Sequence, residues 1–174
     1  MNKRVFISAV VLAALSLSMA STMARFTTTQ PAAQVITTGS IQLKLHRSSP
    51  NSSILPGSTV DHEIKVENTG ANPAYIRIAC HTTADDGNLP GEDCIQLAIN
   101  QSDWTKQGDY YYYNHPLPPG TTSVPLCQTV TFDLNTLDNR YLGKHLDLQI
   151  QVFGVQAQNN GSTVWDAIGW PQAS

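Results

Sequence analysis

The side chains best suited to chemistry are five histidines (His46, His62, His81, His115, His145), three cysteines (Cys80, Cys94, Cys127) and two compact acidic groups, "DHE" at Asp61–Glu63 and "ADDG" at Ala84–Gly87. A zinc peptidase needs two imidazoles on one helical face with a glutamate base between them, the H-E-x-x-H arrangement. No two histidines have that spacing; they fall one to a segment. In "DHE" the alternation of a strand sends His62 to the face opposite Asp61 and Glu63, so His62 is expected to be a partly buried, hydrogen-bonded histidine rather than a ligand. "ADDG" offers adjacent carboxylates to a hard cation but lacks the alternating D-x-D-x-D spacing of a calcium loop, and solvated loop acids are expected there. The cysteines contain no C-x-x-C pair, which argues against a zinc site. No G-x-S-x-G elbow, phosphate-cradling glycine loop or nucleotide fingerprint occurs. No catalytic, cofactor-binding or metal-ligating residue is therefore assigned, and the chain is expected not to be an enzyme. A zinc site assembled from distant strands would leave no local motif.

The elements that position these residues read with period two. Ile41, Leu43 and Leu45 alternate with polar residues, as do Val60, His62, Ile64 and Val66 in "TVDHEIKVEN". Ile76, Ile78 and Cys80 oppose Tyr75, Arg77 and Ala79; Ile95, Leu97 and Ile99 form another face. Leu126, Val130, Phe132 and Leu134, then Leu146, Leu148, Ile150 and Val152, complete the series. Each segment is predicted to be a half-buried strand with one wet face. "LPGS", "NTGANP", "LPGE" and "LPPGTT" supply Pro, Gly and Asn where the chain reverses. Short strands between such turns predict an all-β, two-sheet antiparallel β-sandwich. "STVWDAIGW" predicts a short C-terminal helix, with Val164, Ile168 and Trp165 covering one end.

The run Tyr110–Tyr113 is predicted to be a strand, so Tyr110 and Tyr112 face one way and Tyr111 and Tyr113 the other. That alternation excludes a flat four-ring platform. A glycan-binding module would have to use Trp104 together with the outward tyrosines.

The N-terminus carries a basic "MNKR" and an uncharged apolar run from Val5 to Ala20, followed by "STMA". This is a signal-peptide pattern, too short and too rich in Ala and Ser for the alternative, a membrane anchor of about 20 apolar residues. Cleavage is placed after Ala20 or after Ala24, before Arg25. Taking Ala24 gives a signal peptide over 1–24, an N-terminal arm over 25–34 and a single domain over 35–174. The processed chain keeps eight basic against thirteen acidic residues, a net charge of −5. No basic cluster exists to neutralise phosphates, so a nucleic-acid partner is not expected. No stable membrane anchor is expected after cleavage, and the product is expected to be secreted or held at the cell surface. Export permits a disulfide. Cys80 and Cys94 bracket the polar stretch "HTTADDGNLPGED" and are the natural pair, with Cys127 left over, although spacing does not fix connectivity.

Taken in order, "STMARFTTT", "VITTGSIQLKLH", "LPGSTVDHEIKVENTGANPAYIRIAC", "DYYYYNHPLPPGTTSVPL" and "YLGKHLDLQIQVFGVQAQ" resemble the TasA/camelysin-type exported proteins of Gram-positive bacteria. The resemblance runs from about Ala24 to Trp170. It implies a jelly-roll-like sandwich, release by a dedicated signal peptidase, and self-association into filaments or with related matrix subunits of an extracellular fibre or biofilm. It also implies that the arm of one subunit, Phe26 with Thr27, Thr28 and Thr29, completes a sheet in its neighbour. Here "TTTQ" follows Phe26 without the acidic residue usual in the family. Some members are cell-surface metallopeptidases, the alternative function to a structural one, but no zinc motif carries over to this sequence.

Overall fold

The computed structural model describes residues 33–37, 41–48, 57–84, 94–133 and 146–172. The signal segment, with Ala24 and Arg25, and the arm residues Phe26 to Thr29 lie outside the described residues. The chain is all-β. Its strands are β1 (Ala33–Thr37), β2 (Leu43–Arg47), β3 (Thr59–Asp61), β4 (Ile64–Asn68), β5 (Ala74–Ala84), β6 (Ile95–Ile99), β7 (Trp104–Gln107), β8 (Tyr110–Tyr113), β9 (Cys127–Phe132) and β10 (Leu146–Gln156).

They form a five-stranded sheet in the order β1-β10-β5-β8-β7, a three-stranded sheet β3-β9-β6 and a pair β2-β4. All ladders are antiparallel except the first, where β1 runs parallel to β10 from Ala33 opposite Ile150 to Thr37 opposite Gly154. β1 thus begins two residues inside the stretch assigned to the arm. The free side of β4 is also engaged: Ser123 N donates to Val66 O and Leu126 N to Ile64 O, both at 2.8 Å. "TVDHEIKVEN" is expected as one strand, yet the chain breaks at His62–Glu63 and passes from the three-stranded sheet to the pair.

The even-numbered positions of β4, β5 and β10 meet in one core. Ile64, Val66, Ile76, Ile78, Ile150 and Val152 are fully enclosed, with Trp104, Leu126 and Cys127 beside them. Strand β2 reaches this core because Gly154 carries no side chain; a Cβ there would stand 2.5 Å from Leu43 Cδ1. Strand β7, unmarked by alternation, contributes Trp104 as its one inward residue. It joins β8 through the two-residue turn Gly108-Asp109, with Gly108 at φ 58°, a position such hairpins reserve for glycine.

Two expectations are corrected. The outer face of β5 is not wet: Tyr75, Arg77 and Ala79 are buried, as are Phe153 and Val155 of β10. Tyr75, Arg77 and Val155 are covered by the C-terminal segment, and it is not helical. Among the described residues there is no helix, and Val164–Asp166 is a single turn. Gly161 at φ 83° and Gly169 at φ 77° bound it, and a Cβ on Gly161 would lie 2.7 Å from that of Asp166. The side chain of Asn160 closes the turn by donating to Ile168 O at 3.0 Å and accepting from Ile168 N at 2.9 Å. Val164, Ala167 and Trp170 face the sheet, whereas Ile168 is 77% exposed. The segment therefore lies along a sheet face, held by glycine-permitted turns rather than by helical periodicity. No helix among the described residues is long and apolar enough to cross a membrane.

Candidate functional site

The histidines stay apart. His46 Nε2 meets Glu67 Oε2 at 2.7 Å on the β2–β4 surface, His81 is exposed, and His115 packs edge-on to Tyr113 at 5.9 Å. His145 lies outside the described residues. His62 is buried at 3% exposure, and its Nε2 has no hydrogen-bond partner, contrary to the hydrogen-bonded role expected for it. Burial, and then the Arg47 guanidinium, hold its pKa down from 6.5 to about 4, so it is neutral at physiological pH. Among the described residues no three His, Cys, Asp or Glu side chains come together as metal ligands.

Cys80 and Cys127 stand as thiols, so the expected Cys80–Cys94 bond is not part of this structure. The two residues lie on different sheets, Cys80 on β5 and Cys94 at the foot of β6. Burial pushes Cys80 up to about 12, with the charge of Cys127 adding to it, and burial followed by Glu63 does the same for Cys127. The thiolate is the reactive form, so neither is poised as a nucleophile. Cys127 instead donates its thiol hydrogen to His62 O at 3.3 Å.

The four tyrosines divide as alternation predicts. Tyr113 is buried against Trp104, ring centres 5.0 Å apart, and Tyr111 packs on the same core. Trp104, which a sugar platform would need in the open, is 1% exposed and donates Nε1–H to Val124 O at 3.1 Å. Tyr110 and Tyr112 lie on the other face around Arg77. The Arg77 guanidinium stacks 3.8 Å above the Tyr110 ring centre, with Trp170 at 4.8 Å and Phe153 at 5.2 Å. Its Nη1 donates to Tyr112 Oη at 3.1 Å and its Nη2 to Pro171 O at 2.9 Å. Such a cage suits Arg, whose planar and weakly hydrated cation stacks on aromatic faces. Its task is to fasten residues 157–172 over the sheet. Sequence reading placed Arg77 in water; the available signal was the aromatic residues of "YYYY", "VFG" and "GWP", which supply Tyr110, Phe153 and Trp170 around it.

What the surface offers beyond these groups is main chain. β1 and β7 are the outer strands of the five-stranded sheet, and β3 and β6 those of the three-stranded one. Gln34 and Val35 on β1 are exposed, as are Thr105, Lys106 and Gln107 on β7. Between β6 and the β5–β8 face opens a cleft of about 280 Å³, walled by Cys80, Leu97, Tyr111 and Leu148, with the exposed Lys106 and Asp109 at its rim. Unpaired strand edges present alternating donors and acceptors to another extended chain.

Comparison of the chain with models of known protein families, with curated proteins and with solved structures found no match. The candidate site is accordingly defined by its geometry: outer strands beside a cleft of mixed polar and apolar lining, and an Arg77 cage that fastens the C-terminal segment.

Proposed function

We propose that this protein is a secreted, non-enzymatic structural subunit of a bacterial extracellular matrix or surface fibre, built as a jelly-roll-like sandwich of the TasA/camelysin type. In this reading the five-stranded sheet forms one layer, the two smaller sheets form the other, and subunits join when the N-terminal arm of one adds to a sheet edge of the next. The observation that carries it is β1. Its five residues occupy an outer position, parallel to β10, with Val35 38% exposed. The stretch spanning the end of the arm therefore has the backbone disposition of an added strand. Thr27, Thr28 and Thr29 upstream are β-branched residues that favour the same extended conformation, and Phe26 supplies one apolar anchor. A head-to-tail contact of this kind does not close on itself and generates filaments.

Electron microscopy of the processed chain, residues 25–174, tests the reading. Intact protein is expected to form fibres, whereas deletion of Arg25 to Gln30, or Phe26→Asp, leaves a folded monomer. Fibres formed as readily by the deleted chain would defeat the arm mechanism. Chelator-sensitive casein cleavage together with stoichiometric zinc would overturn the non-enzymatic role.

A further inference from the structure

Among the buried polar groups, His62 has the least support. It lies where the chain leaves β3 and enters β4, and so where two sheets are joined. Its backbone is clamped on both sides to β9: His62 N donates to Gln128 O at 2.9 Å, and Cys127 Sγ donates to His62 O at 3.3 Å. Its imidazole points inward with Nε2 unpartnered.

We propose that His62 makes the β3–β4 junction an acid-sensitive latch, in which one proton taken up by the buried ring parts the β2-β4 pair from the three-stranded sheet. The charged groups around it determine the direction. Arg47 on β2 repels an imidazolium. Of the flanking carboxylates Asp61 is exposed, and Glu63, whose charge also reaches Cys127, is held by Lys65 Nζ at 2.8 Å; farther along β4, Glu67 is held by His46 at 2.7 Å. From β9 the facing group is a thiol, which supplies no negative charge while Cys127 is held near 12. The folded chain therefore takes up the proton near pH 4 and an opened junction near 6.5. Stability of the junction is complete above 6.5 and is lost as pH falls from there towards 4.

Backbone hydrogen exchange on the full chain from pH 7.5 to 4, corrected for intrinsic rates, tests the latch. Amides of His62, Ser123 and Leu126 are expected to lose protection by on the order of a hundredfold, while those pairing β5 with β10 hold. Arg47→Gln should weaken the loss, because it removes the repulsion that depresses proton uptake. His62→Phe should make protection at the junction independent of pH. An equal loss across the whole molecule, or the same loss in His62→Phe, overturns the proposal. Should that variant fail to fold, titration of the His62 ring by NMR in the wild-type chain decides. A midpoint near 4 with opening of the junction supports it, and an ordinary midpoint with the junction intact overturns it.

Discussion

Arg77 is a cation buried to 7% exposure whose partners are aromatic faces, one phenol and one carbonyl; among the described residues no carboxylate pairs with it. Its contribution is shared between stacking and two directed hydrogen bonds, so truncation removes packing and orientation together. Arg77→Ala is expected to destabilise the chain by about 3–5 kcal/mol, the range of large truncations in cores. Because Pro171 O loses its donor, the C-terminal segment should also loosen, and chymotrypsin should cut after Trp165 far faster than in the wild type. Arg77→Lys keeps the charge but not the planar fork, and should restore only part of the protection. Unchanged cleavage in Arg77→Ala would mean that Val164, Ala167 and Trp170 fasten the segment unaided.

At the level of elements, the turns after β4 matter as much as the strands. Asn68 is fully buried. Its Nδ2 donates to Asn72 O at 2.8 Å and Leu117 O at 2.9 Å, and its Oδ1 accepts from Gly70 N at 3.0 Å. Asn68→Asp changes almost no volume but sets an oxygen against two carbonyls. It is expected to cost about 3 kcal/mol or more at neutral pH, through two lost donors and a buried charge. Urea melts measure this, and a loss below about 1 kcal/mol would show that the turn does not depend on the amide. The "NTGANP" turn was legible in the sequence because Asn, Gly and Pro act through local backbone preference. The inward faces of β4, β5, β9 and β10 were legible because a single buried face imposes alternation. What stayed hidden depends on distant partners. Tyr75 and Arg77 look solvent-facing until the C-terminal segment, distant in sequence, lies on them. The C-terminal turn carries helix-like spacing, but Gly161 and Gly169 impose a left-handed backbone instead. Strand β1 has no alternating face: its burial runs half-buried, exposed, exposed, half-buried, half-buried. The sheet edges of the candidate site were inferable only as a class, since strand order is not written in local pattern.

For the molecule as a whole, the placement of β10 has a consequence in time. Chains are made from the N-terminus, and β10 is the last described strand, yet it stands between β1 and β5 in the largest sheet. Until it emerges, β1 has no ladder partner among the described strands and β5 lacks its longest neighbour, an eleven-residue pairing from Leu146 opposite Ala84 to Gln156 opposite Ala74. Such non-local pairing folds slowly, on the order of milliseconds to seconds. A chain stopped before Leu146 is expected to show no cooperative urea transition, and a peptide spanning 146–172 should restore one. A cooperative transition in the shortened chain alone would refute this. The nascent chain is thereby kept threadable: a strand made after its neighbours but seated inside the sheet defers folding of that sheet until it has been made, which would suit the export that the proposed function requires.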